Sequence, residues 1–135
     1  MFQEFYPLRL QDNCEVEHLL YPDVDQSPMG LHSPAREVMT DFSQVQPVTV
    51  TEGVAVDDAL ERMKTQHVRM LFVITLAGKF IGVISAQDIA GSKVIVYMQN
   101  HGVSRDEVSV GHIMLHKQYL HSLKYDQVQH ARIGD

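Results

Sequence analysis

The sequence predicts a small α/β domain of the α+β kind, with a small mixed sheet and helices over one face. Three observations carry the prediction. Apolar runs of strand length stand at residues 48–50, 70–76 and 80–84. The last two are joined by Ala77-Gly78-Lys79, a short glycine-containing turn that reads as a β-hairpin. The segments that flank the hairpin carry apolar residues at helical spacing. The order is strand, helix, strand, strand, helix, and the helices bury their apolar stripes on the sheet.

Taken in order, residues 1–32 form an N-terminal extension. Phe2, Phe5, Tyr6, Leu8 and Leu10 precede Val16, Leu19, Leu20 and Tyr21 without a sustained period, and Pro22 and Pro28 follow. The composition is that of a segment that packs on a domain without being one. Ser33-Pro34 supplies an N-cap and a first-turn proline, so a short helix is predicted over 35–39. Pro47 precedes the β-branched strand Val48-Thr49-Val50, and Thr51-Glu52-Gly53 makes a turn. From Val54 onward Val56, Ala59, Leu60 and Met63 recur at helical spacing, opposite Asp57, Asp58, Glu61, Arg62 and Lys64. A further helix opening at Ala86 contains Ile89, Val94, Tyr97 and Met98, and Asn100-His101-Gly102 is its stop.

Composition bounds the function. A chain of 135 residues fits one domain with a real core, and 44% hydrophobic with 21% charged residues is ordinary for a globular protein. The net charge of −6, with 11 Lys plus Arg and no basic run, argues against nucleic acid as a partner. The single cysteine, Cys14, has no internal disulfide partner; no signal-peptide pattern and no membrane-length apolar run is present, so a cytoplasmic setting off the membrane is predicted.

The stretch Gly82-Val83-Ile84-Ser85-Ala86-Gln87-Asp88 carries the chemistry. Ser85 emerges at the C-terminal end of a strand, where open α/β sheets bind ligands. The next helix opens with free amides that favour a phosphate. An ionised carboxylate only accepts hydrogen bonds, so Asp88 suits the vicinal hydroxyls of a ribose. Gly82 allows close approach of a ligand or a neighbouring backbone. Ser85-x-x-Asp88 is equally a capping box, which needs no ligand and stabilises a helix start by about 1 kcal/mol. The two roles are compatible.

After Gly102 the chain begins again: Glu37-Val38-Met39 is echoed by His112-Ile113-Met114, and residues 120–123 take the place of the first strand. Val128 and Ala131 then match Val56 and Ala59. Three units follow: the extension 1–32, a complete motif at 33–103 and the beginning of a second at 104–135.

These residues resemble the CBS (cystathionine-beta-synthase) domain. The likeness runs from Ala35 to about Gly91 and rests on Val38-Met39-Thr40, Val48-Thr49-Val50, Ala59-Leu60, Leu71-Phe72-Val73, Gly78 and the stretch from Gly82 to Asp88. The resemblance implies a β-α-β-β-α unit that pairs sheet to sheet with another, self-associates, and binds AMP, ATP or S-adenosylmethionine as a regulatory ligand. It implies that Asp88 meets ribose hydroxyls, Ser85 ribose or phosphate, and Val48 and Thr49 the base. Arg69, with His67 beside it, stands where relatives place a basic side chain for phosphate, which a guanidinium binds bidentately; the alternative is a solvated pair at a helix-to-strand corner. Phe72 stands where many relatives carry proline, a departure in the cleft wall.

The second motif has room for one strand and the start of a helix before Asp135. Either another copy completes the cleft or the natural chain is longer, and residues 120–135 are expected to be mobile or docked on a neighbouring chain. The alternative function is a ligand-free dimerisation or interaction module. Catalysis is not expected, because no nucleophile–base pair, redox motif or metal set is present. His112 and His116, four apart with His121 and His130 nearby, offer two imidazoles from one helical face, which leaves a tetrahedral metal site half made. No cofactor is required by this reading.

Overall fold

The computed structural model describes residues 28–135, so Cys14 and most of the expected extension lie outside the described residues. Strands β1 (Thr49–Thr51), β2 (Met70–Ile74), β3 (Phe80–Ser85) and β4 (Leu115–His116) form one sheet in that order. β1 and β2 are parallel, and β2–β3 and β3–β4 are antiparallel. The parallel pair needs a crossover, supplied by α1 (Val56–Gln66). The antiparallel pair needs only the turn at Gly78, whose φ of 82° suits glycine.

Side chains alternate across a strand, and burial follows that alternation. Leu71 and Val73 of β2 and Ile84 of β3 are fully buried with Ala59 and Met63 of α1 and Ile89 of α2 (Ala86–Ala90). The helices therefore cover one face. On the other, Met70 and Phe80 are each 41% exposed, and Phe42 folds back edge-on to Phe72 at 5.1 Å between ring centres.

Several elements depart from the sequence reading. The helix predicted from Ala86 to the stop at Asn100-His101-Gly102 is two helices, α2 and α3 (Ser92–His101), because Gly91 adopts an extended conformation between them. The helix at 35–39 is a single 3-10 turn, Ala35–Glu37, with no side-chain cap from Ser33. Residues 120–123 form no strand. The free edge of β3 is taken instead by β4, directly after α4 (Val110–Ile113), with Gly82 opposite His116. A side chain at Gly82 would run into the Leu115 carbonyl oxygen, so this glycine serves the close approach of a neighbouring backbone.

Residues 131–135 dock on the same chain, which corrects, for that part of 120–135, the expectation of a mobile segment or one docked on a neighbouring chain. Following α5 (Tyr125–His130), residues 131–135 run antiparallel to residues 31–35. Ala35 N–H donates to Ala131 O (2.9 Å), Ile133 N–H to Ser33 O (2.8 Å) and Gly134 N–H to Leu31 O (2.8 Å). The tail thus finds its backbone partners beside the first 3-10 turn rather than at the sheet edge. Among the described residues no helix is long and apolar enough to cross a membrane.

Candidate functional site

The register of the sheet gathers the candidate residues at one end. Parallel pairing sets Thr49 opposite Phe72, and Phe72 N–H donates to Val48 O at 3.0 Å, so β1 and β2 both start there. Antiparallel pairing sets Ser85 opposite Met70, and Ala86 N–H donates to Arg69 O at 2.9 Å. The start of β1 (Val48, Thr49), the approach to β2 (His67, Arg69) and the end of β3 (Ser85) with the first turn of α2 (Asp88) therefore share one sheet end.

Within that end the six residues divide into two groups. Val48, His67 and Arg69 line a cavity of about 510 Å³ whose opposite wall is built by Phe42, Val45 and Gln46. Thr49 borders two adjoining hollows, one with Gln46, Arg62 and Gln66, the other with the Phe72 and Phe80 rings. Ser85 and Asp88 lie outside these linings. The side chains of His67 and Arg69 are exposed. His67 is the C-cap of α1 and sits in the left-handed region at φ 55°, its N–H donating to Lys64 O at 3.2 Å. It is the only non-glycine residue with positive φ among the described residues.

Ser85 and Asp88 form the reciprocal capping box that their spacing predicts. Asp88 N–H donates to Ser85 Oγ (3.1 Å), while Ser85 N–H and Oγ–H both donate to Asp88 Oδ2 (3.0 and 2.9 Å). The other carboxylate oxygen, Oδ1, accepts from Lys93 Nζ at 2.5 Å. Partial burial on its own would raise the Asp88 carboxyl. The hydrogen bonds from Lys93 and Ser85, with the Lys93 charge, outweigh it and hold the group below the ordinary aspartate value. The turn is thus an ionised carboxylate beside a cation, at the same sheet end as the groove lined by Val48, His67 and Arg69. A carboxylate accepts from hydroxyl donors and an ammonium attracts anions, so both kinds of group are matched by this turn.

Sequence reasoning missed Lys93 and the wall made by Phe42, Val45 and Gln46. Lys93 is five residues from Asp88 and on a different helix, so the i,i+4 rule gives no signal; only the break at Gly91 brings the two together. The histidines fare differently from the helical-face reading. His112 caps α4 through Nδ1, which accepts from Ser109 N–H at 3.1 Å, and its ring stacks on Tyr97 at 4.5 Å. His116 is on β4, off that helix. Among the described residues no three potential metal ligands come together.

Comparisons with known proteins agree with this architecture. A family model described as the CBS domain matches residues 35–95. No curated protein matches the chain. An uncharacterized conserved protein from Pyrococcus horikoshii aligns at 21% identity and a TM-score of 0.52, covering 78% of this chain and 68% of that one. A CBS-domain containing protein from Agrobacterium tumefaciens aligns at 17% identity and a TM-score of 0.42, covering 55% of this chain and 53% of that one. The present chain thus spans about half the length of the Agrobacterium protein. CBSX2 of Arabidopsis thaliana, solved in complex with AMP, aligns at 24% identity and a TM-score of 0.43, covering 63% of this chain and 61% of that one. With a β-α-β-β-α order, a parallel β1–β2 pair and a serine–aspartate turn after β3 inside the matched segment, residues 35–95 of this chain are similar to the CBS domain in sequence and in the order of their elements.

Proposed function

We propose that this chain is a regulatory, non-catalytic module that binds an adenosine-containing ligand of the AMP, ATP or S-adenosylmethionine type. The observation that carries the reading is the convergence of Val48, Thr49, His67, Arg69, Ser85 and Asp88 on one sheet end. Val48 and Thr49 flank the base, Asp88 takes the ribose hydroxyls with Ser85 beside it, and Arg69 and His67 meet phosphate. The left-handed His67 supports it: a non-glycine residue held there costs about 1–2 kcal/mol, and such strain gathers at functional sites. Residues 1–32 act as an extension, 33–103 as the first motif and 104–135 as the start of a second, in a cytoplasmic protein that contacts neither nucleic acid nor membrane.

The protein has no tryptophan, so co-purified nucleotide stands out as excess absorbance in the nucleobase band. Calorimetric titration with AMP, ATP and S-adenosylmethionine follows. Saturable binding of at least one supports the reading; no heat from any of the three at millimolar ligand overturns it.

The second reading, an interaction module, is favoured by the uncovered sheet face. Phe42, Phe72 and Phe80 stand edge to face around an apolar cleft of about 320 Å³. Exposed apolar patches mark interfaces, and a second copy of the chain, presenting the same face, covers this one as a homodimer. Light scattering at tens of micromolar protein gives a dimer mass for the wild type and a monomer mass for Phe80→Asp. A monomeric wild type refutes self-association.

A further inference from the structure

We infer that Lys93 selects the ligand class of this site: its ammonium competes with ribose for Asp88, and so favours adenosine ligands that carry a phosphate. The inference rests on the ribose assignment of Asp88. It begins from the acceptor capacity of that carboxylate. Two oxygens offer about four lone-pair positions. Two are taken on Oδ2 by the Ser85 backbone and hydroxyl, and one on Oδ1 by Lys93. A vicinal diol needs two acceptors and finds one open.

One of the three donors must therefore yield. The Ser85 donors belong to the turn that starts α2 and are fixed by it. Lys93 lies across the Gly91 break, at the second position of α3, and its side chain is 52% exposed against 19% for Asp88. A flexible four-carbon stem leaves most easily. Among the described residues Asp88 is the sole acidic partner of Lys93, so leaving forfeits a charge-assisted bond. Adenosine returns nothing for that loss. S-adenosylmethionine places a cationic sulfonium next to the ribose. A phosphate on the ribose gives the displaced ammonium a new anion, and Arg69 at the neighbouring strand end adds a second cation to the same sheet end. The ion pair thus acts as a toll on ligands without an anion.

The experiment titrates the full chain and its Lys93→Met variant with AMP and with adenosine by calorimetry. Wild type is expected to prefer AMP. In Lys93→Met, AMP affinity falls about tenfold or more while adenosine affinity holds or rises, since the competitor for Asp88 has gone. Lys93→Arg, which keeps the cation, restores most of the preference and shows that the loss is not one of folding. Equal weakening of both ligands, or an unchanged ratio, means that Lys93 only supports the cap and overturns the inference. A wild type that binds AMP and adenosine equally overturns it too, while leaving the ribose reading intact. A wild type that binds neither overturns this inference, and the ribose reading falls with it only when ATP and S-adenosylmethionine also give no heat.

Discussion

Asp88→Ala deprives three donors of their acceptor at once: the Ser85 amide, the Ser85 hydroxyl and the Lys93 ammonium. Part of the cap survives, because the backbone amide at position 88 still donates to Ser85 Oγ. Losing the carboxylate arm of the box costs about 1 kcal/mol. The pair with the half-exposed Lys93 adds only about 0.5 kcal/mol after screening. For a domain of this size, a total of about 1.5 kcal/mol lowers the melting temperature by roughly 6 °C. Asp88→Asn keeps one oxygen for the Ser85 amide and loses the charge, so its deficit is about half as large. Ligand affinity ranks the variants differently. The single asparagine oxygen is committed to Ser85, so both variants lose the bonds to the ribose hydroxyls and bind AMP at least tenfold more weakly. Melting curves with calorimetric titration of both variants separate the two roles. If Asp88→Ala melts 6 °C lower yet binds AMP with wild-type affinity, the carboxylate is a helix cap alone and the ribose assignment fails.

Gly82→Val should push Leu115 off the sheet edge, costing about 2 kcal/mol. Amide exchange at Leu115 and His116 accelerates while the β2–β3 amides keep their protection; unchanged protection at β4 contradicts the contact. His67→Gly relieves the left-handed strain and should stabilise by about 1 kcal/mol in urea denaturation, with weaker AMP binding; a lower urea midpoint means the imidazole contributes more than the strain costs. The folded pKa of Asp88 lies below its unfolded value of about 3.9, so its contribution is complete above about pH 5 and is lost as pH falls through the folded value. The stability gap between wild type and Asp88→Asn should therefore narrow below about pH 4, and a gap constant from pH 3 to 7 refutes the coupling.

The sheet and its covering helices were legible because their signals are local. Leu71, Val73 and Ile84 sit in runs whose length and glycine turn admit a hairpin, and the α1 stripe survives with Ala59 and Met63 in the core. The capping box was legible for the same reason. Gly91 gives no local sign of a break, because a lone glycine in a helical pattern is usually tolerated. The second strand of the echo was misplaced since edge pairing depends on which backbone fits beside Gly82, a tertiary fact absent from the local pattern of residues 115–123. At the site, the turn residues and the strand-end cation were visible in the sequence. The groove wall at Phe42, Val45 and Gln46 was not, since it forms where a loop folds over the sheet end.

The ladder between residues 31–35 and 131–135 has a kinetic consequence. Its contacts are among the most distant in sequence that the described residues make, while the β2–β3 hairpin closes over a few residues. Loop closure of that span contributes nothing favourable until the sheet has already drawn the two segments together, so the ladder forms late in folding. Its bonds join half-buried or exposed residues, none of them in the core, and each adds about 1 kcal/mol or less, so it opens without the sheet opening. The domain therefore unzips from its seam, and a protease meets residues 28–35 and 124–135 in a locally open state long before the core of β2, β3 and α1 is exposed.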